Sequence, residues 1–208
     1  MSKPDDGDWL ARLHEGGERS LADALSAHED RLRQIIELRL DPRLSGRLDP
    51  ADVLQESFLE AQKRLPRYLT EPGVPVFVWL RGIVLDTLID FHRRHLGAKM
   101  RDAGHEVPLD RPHTPQASSV VMATWLAGSF TSPSQAAIRE ETTRQIDAAL
   151  SSLDPIDREV LILRHFERLT NDEAAAVLGV KKAAASRRYM RALTRFRTVL
   201  LDTPGFEP

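Results

Sequence analysis

A chain of 208 residues with 41% hydrophobic content can bury one modest core or two small ones, and its periodic segments fall into two blocks around an irregular stretch. The 29 Lys and Arg against 31 Asp and Glu leave a formal net charge of -2. That balance excludes a protein that coats nucleic acid along its whole length, so any DNA contact has to come from local basic clusters. The lack of cysteine excludes a disulfide framework, a thiolate nucleophile and a Cys-bearing zinc site, and it fits a reducing compartment. Met1 to Asp8 is polar and acidic with no apolar signal core behind it, and no apolar run approaches the roughly 20 residues that cross a bilayer. A soluble, cytoplasmic protein with no membrane partner is the expectation.

From Ser20 to Leu40, Leu21, Leu25, Leu32, Ile35, Ile36 and Leu40 recur at helical spacing, and Asp41-Pro42 supplies a stop. Asp49 caps a second helix with Pro50 in its first turn, where a missing N–H costs nothing. Leu54, Phe58, Ala61 and Leu65 form its apolar stripe. Pro66 is expected to end it, leaving Pro66 to Pro75 as an ordered loop before helical periodicity resumes from Val76 to His95 through Leu80, Val84, Leu88 and Phe91. Ala103 to Pro133 is rich in Pro, Ser, Thr, Gly and Ala and reads as a linker. Its apolar island (Val120, Val121, Met122, Trp125, Leu126) docks either on a partner or on the chain itself.

The last block opens with a helix from about Ser134 to Leu150, then a cap-plus-proline start at Asp154-Pro155 for a helix ending near Phe166. Thr170-Asn171-Asp172-Glu173 is a capping box for a short helix that stops at Gly179, and Val180, Lys181 and Lys182 lead into a long basic one. Short helix, glycine turn and long basic helix make a helix-turn-helix pattern.

Three helical faces are candidates for function. On the last helix Tyr189, Leu193, Phe196 and Leu200 share an apolar, core-directed face. Ala184, Arg188, Arg191 and Arg195 follow the same steps and are expected on the opposite side, in a stretch from Lys181 to Arg197 that is basic at seven positions and acidic at none. Alone, such a face is ordinarily just solvated. Behind a capped helix and a glycine turn it suits a recognition helix, with arginines for phosphates and guanine edges and Ala183, Ala184 and Ala185 allowing close approach or touching a thymine methyl. The second face is acidic: Asp49, Asp52, Glu56 and Glu60 cluster within an arc of roughly 80°. It is either solvated or a docking ridge for a basic protein partner. The third face carries Trp79, Asp86, Asp90, Arg93 and Arg94, with His92, His95, Lys99 and Arg101 as a basic end. Arginines beside an aromatic ring can hold phosphates and stack an unpaired base, although burial of Trp79 under a neighbouring helix is the plainer alternative.

Asp90, His92 and His95 lack a third strong ligand at matching spacing, and there is no HExxH, GxSxG, P-loop or GxGxxG. No catalytic residue, metal or cofactor is expected, and the chain is not read as an enzyme.

These residues resemble the sigma-70 type factors of bacteria, and among them the compact extracytoplasmic-function (ECF) group. Asp49-Pro-Ala-Asp52-Val-Leu-Gln55-Glu56-Ser-Phe58-Leu looks like the family's polymerase-clamp-binding helix, and Val78-Trp79-Leu80-Arg-Gly-Ile83 and Asp90-Phe-His-Arg93-Arg94 follow it. Leu153-Asp-Pro-Ile-Asp-Arg158-Glu159-Val160-Leu161 and Leu169-Thr-Asn-Asp-Glu173 through Gly179-Val180 look like the fourth conserved domain. The resemblance implies an all-α chain of two small helical domains: domain 2 at residues 1–102, a linker at 103–133 and domain 4 at 134–208. It implies a transcription initiation factor in which Asp49, Asp52, Gln55 and Glu56 engage the clamp helices of the largest subunit of core RNA polymerase, with the polymerase flap as a second contact. The loop Arg67 to Val76 with Trp79, Arg93 and Arg94 would take the melted minus-ten strand of promoter DNA. Lys182, Ala184, Arg187, Arg188, Arg191 and Arg195 would read the minus-thirty-five element. The linker would thread toward the active-site cleft, and an anti-sigma factor or a kinase stands as a candidate regulator.

Two positions depart from the family pattern. Asp86 stands where Asn is common and would repel phosphate unless paired, with Arg93 or a neighbouring basic group. Ser186-Arg187-Arg188-Tyr189 replaces the commoner Lys-Ser-Arg-Leu. A helix-turn-helix regulator that never touches polymerase, and a protein-interaction adaptor, are the alternatives.

Overall fold

The computed structural model describes residues 6–44, 46–100, 122–124, 126 and 136–202, and among these every regular element is helical. The chain divides into two compact units, residues 1–116 and 117–208. No helix among the described residues is long and apolar enough to cross a membrane.

The first unit packs α1 (Asp6–Arg39), α2 (Pro50–Thr70) and α3 (Val76–Met100) against one another. Its core is a set of fully buried aliphatics: Leu21, Leu32, Ile35 and Ile36 of α1, Val53 and Ala61 of α2, and Leu80, Val84 and Leu88 of α3. Each large one contributes on the order of 1.5–3 kcal/mol by leaving water. Helix α1 begins well before Ser20. Gly17 breaks it with φ 52° and ψ -125°, a left-handed conformation that glycine takes without a Cβ penalty. The Trp9 and His28 ring centroids lie 6.0 Å apart, whereas nineteen residues of straight helix would separate them by about 28 Å. The first segment therefore doubles back, burying Trp9 and Leu13, while His28 packs on to Phe77 of α3.

Helix α2 starts as its sequence dictates, with the Asp49 carboxylate accepting from the Ala51 N–H at 2.8 Å. It does not stop at Pro66, which lies inside the helix, and the following loop is 71–75 rather than 66–75. Proline in mid-helix forfeits one backbone bond. Burial of Leu65 and Tyr68 on either side, and the Tyr68 hydroxyl donating to the Val74 carbonyl at 2.7 Å, hold the extra turn in place. Helix α3 also continues past His95 to Met100.

The second unit holds α4 (Ala136–Ser151), α5 (Pro155–Leu161) running into a π-helical turn (Ile162–Phe166), α6 (Asn171–Leu178) and α7 (Lys182–Leu201). Helix α7 packs against α4, α5 and α6. Of the apolar island in the linker, Met122 is fully buried and Leu126 half-buried; Val120, Val121 and Trp125 lie outside the described residues, as does most of 103–133.

Candidate functional site

In the first unit the ridge on α2 is narrower than the sequence suggests. Asp52, Gln55 and Glu56 are exposed and make no hydrogen bond or ion pair among the described residues, and Asp49 is exposed in its capping role. Glu60 departs from the ridge: it accepts from Arg64 at 2.7 Å and pairs with Lys63 at 3.3 Å, and the Arg64 hydrogen bond holds its carboxyl below the usual range. Leu59 takes its place. It lies on the same arc as Asp52 and Glu56 and is 46% exposed. The signal for it was an apolar residue in a polar phase of the helical period. Beside Gln55, a shallow hollow lined by Leu25, Glu29, Arg33 and Leu54 opens between α1 and α2.

On the other side of α2, toward α3, Trp79 is half-buried and stacks on Tyr68 at 4.3 Å with 12° between the planes. Asp86 is paired across the helices with Arg64, Nη1 to Oδ2 at 2.7 Å, and not with Arg93. That hydrogen bond raises the Arg64 pKa above its ordinary value. Arg93 sits 3.8 Å from Asp90, and the Arg94 guanidinium lies 4.6 Å over the Phe91 ring; both arginines are exposed. His92 turns away from this face and accepts from the Asp41 N–H at 3.2 Å, while His95 stacks on Phe91. The side chains of Lys99 and Arg101 lie outside the described residues.

In the second unit the helix-turn-helix is built from local signals. Thr170 Oγ1 accepts from the Glu173 N–H at 3.2 Å, and the Glu173 carboxylate accepts from the Thr170 N–H at 2.6 Å, completing the capping box. Gly179, at φ 63°, ends α6 while the Gly179 and Val180 N–H groups reach back to the carbonyls of Ala176 and Ala175. Asn171 then ties the two helices: its amide donates to the Lys182 carbonyl at 3.2 Å and its oxygen accepts from the Ser186 hydroxyl at 3.1 Å.

Helix α7 is rotated from the sequence expectation. Its buried residues are Ala185 and Ala192; Tyr189, Leu193, Phe196 and Leu200 flank them half-buried, with the Tyr189 hydroxyl 2.8 Å from His165 Nε2. Burial, and then the Arg164 charge, hold His165 below the usual histidine range. With the packed stripe centred on the alanines, Arg188, Arg191 and Arg195 border it instead of opposing it. They line a hollow with Asp154, Ile156 and Asp157 at the start of α5, where Arg191 pairs with Asp157 at 3.2 Å. Arg187 points away from the core and is exposed without a partner among the described residues. Lys182 is exposed but paired with Asp172, and Ala184 is half-buried.

Residues 143–196, which contain this helix-turn-helix, match the family model for sigma-70, region 4. A probable RNA polymerase sigma factor, RfaY, of Xanthomonas campestris pv. campestris is 30% identical over 151 residues, 73% of this chain and 34% of that protein. The ECF RNA polymerase sigma factor SigD of Mycobacterium tuberculosis is 27% identical over 188 residues, 85% of this chain and 80% of that one. Residues 143–196 thus carry a sigma-70 region 4, and over most of its length the chain is similar to RNA polymerase sigma factors, ECF factors among them. The fold agrees: the solved structure of CnrH in complex with the cytosolic domain of CnrY superimposes with a TM-score of 0.52 at 23% identity, covering 95% of this chain and 99% of that one. The chain spans about a third of the length of its Xanthomonas relative and four fifths of its mycobacterial one.

Proposed function

We propose that this chain is a transcription initiation factor that binds core RNA polymerase and directs it to promoters, helping to open the minus-ten region. The observation that carries this reading is the capped helix-turn-helix of the second unit, within the region 4 match, in the same chain as an exposed acidic ridge. A DNA-reading module needs no such ridge. Phosphates repel it, whereas a basic protein surface is attracted to it.

In this reading Asp49, Asp52, Gln55 and Glu56 meet the polymerase clamp, joined by Leu59 as an apolar anchor. Trp79, Arg93 and Arg94 face the melted minus-ten strand. The α7 arginines take the minus-thirty-five element. The chain carries no catalytic group of its own and works in the cytoplasm, where polymerase and promoter DNA are. CnrH is solved with the cytosolic domain of CnrY; an anti-sigma protein of this kind, or a kinase, is the candidate regulator.

The test is transcription in vitro with core polymerase on genomic DNA fragments, mapping start sites. Defined starts that require the added protein are expected. Footprints that do not need polymerase would favour a helix-turn-helix regulator, and no footprint at all an adaptor.

A further inference from the structure

The first half of α7 is seated with little bulk to hold it. The large apolar side chains Leu193, Phe196 and Leu200 belong to the second half, whereas the first packs through Ala184, Ala185 and Tyr189. Alanines let a helix come close but raise no ridge against its turning about its own axis. Tyr189 supplies what they lack. Its hydroxyl lies 2.8 Å from His165 Nε2, and the two ring centroids are 5.4 Å apart at 38°. His165 is brought there by the π turn Ile162–Phe166, in which the Glu167 N–H reaches five residues back to the Ile162 carbonyl at 3.0 Å. So wide a turn is rare, and it shifts the phase of its residues relative to an α-helix. At about 100° per residue, Tyr189 stands roughly 50° to one side of the Ala185–Ala192 seam, and Arg191, paired with Asp157, roughly 110° to the other. Two polar contacts thus brace α7 against rotation in opposite senses.

We propose that His165 is a positioning residue for upstream-element reading, setting the rotation of α7 through its hydrogen bond to Tyr189; this rests on the initiation-factor reading above. Arg187 and Met190 are exposed on the side of α7 away from the seam. Turning the helix by about 30° carries a side-chain tip, about 5–6 Å from the axis, through about 3 Å, a full hydrogen-bond length. The same side chains then meet different base edges. Neither His165 nor Tyr189 has to touch DNA for this. A leucine, commoner at this place in the sigma-70 factors that the chain resembles, could make no such bond.

The test is binding of polymerase holoenzyme to DNA randomised across the upstream element, with wild type, Tyr189→Phe, His165→Ala, the double variant and His165→Gln. Both side chains reach solvent, so none of these changes opens the core. Tyr189→Phe keeps the ring and removes only the hydroxyl. It is expected to relax the base preference at one or two positions by about five-fold, the scale of one hydrogen bond. His165→Ala should relax the same positions, and the double variant no further, because both changes remove one contact. His165→Gln, whose amide reaches the place of Nε2, should restore the wild-type preference. Loosened packing alone would lower the fraction of active protein without moving the preference. An unchanged preference in Tyr189→Phe, or a glutamine variant as relaxed as the alanine one, overturns the positioning role while leaving the initiation factor standing. A wild-type holoenzyme with no upstream preference overturns both the role and the DNA reading beneath it.

Discussion

Arg191 of α7 donates through Nη2 to Asp157 Oδ1 at 3.2 Å, and the Asp157 side chain is only 6% exposed while that of Arg191 is 65% exposed. Helix α7 is thereby pinned to the first turn of α5 by one of the arginines proposed to meet DNA. Arg191→Ala leaves a nearly buried carboxylate without its cation. The expected cost is about 1–2 kcal/mol, below that of a fully buried pair because solvent screens the exposed guanidinium. Urea unfolding followed by circular dichroism, with Asp157→Ala and the double variant completing a cycle, should return a coupling near 1 kcal/mol. Strictly additive losses would show that the pair contributes nothing.

Arg187 and Arg191 should differ on DNA. Arg187 has its full charge available, whereas part of that on Arg191 is already answered by Asp157. For holoenzyme on an upstream element, Arg187→Ala should flatten the salt dependence by roughly 0.9 in the log–log slope for each phosphate that the side chain no longer neutralises. Arg191→Ala should flatten it less. Titrations of binding against salt concentration would refute this if the two slopes changed equally.

On the ridge, Asp52→Lys with Glu56→Lys reverses two exposed charges that make no ion pair among the described residues; because Asp52 lies in the first turn of α2, where an acid favours the helix dipole, stability should fall, but by no more than about 1–2 kcal/mol, leaving the fold intact. Capture of core polymerase should be abolished. Leu59→Ala should weaken capture by about ten-fold, as for a single apolar anchor. Unaltered pull-down by the double charge reversal would remove α2 from the polymerase interface.

The features legible in the sequence are those with local causes. Asp49-Pro50, Asp154-Pro155, the Thr170 capping box and Gly179 each fix a helix end through neighbours within four residues, and the structure places those ends there. What escaped depends on distant partners or on small side chains. The turn beyond Pro66 is held by the burial of Tyr68 and its bond to Val74. The doubled-back segment before Ser20 is visible only once Trp9 meets His28. The rotation of α7 escaped because its buried centre is Ala185 and Ala192, which carry little hydrophobic signal beside Tyr189 or Phe196. The Arg64–Asp86 and Arg191–Asp157 pairs cross between helices, and a helical period cannot report a partner on another element.

Mild acid should act on the first unit through His92. Its ring is partly buried and accepts from the Asp41 N–H through Nε2, so burial, opposed by the Asp41 charge and helped by that of Arg43, lowers its pKa from the ordinary 6.5. Beside it, the Arg43 side-chain hydrogen bond holds Asp41 down to about 2, so Asp41 stays ionised throughout this range. A histidine whose folded pKa is depressed binds fewer protons folded than unfolded. Its contribution to stability is therefore complete above 6.5 and is lost as pH falls from there through the folded value. His165 behaves alike in the second unit. Urea unfolding at pH 7.5 and pH 5.5 should show wild type losing stability on acidification. His92→Gln, which keeps an acceptor for Asp41 but cannot titrate, should lose less, and His165→Asn should remove a separate share. If His92→Gln lost as much between the two pH values as wild type, His92 would not be the group that senses the change.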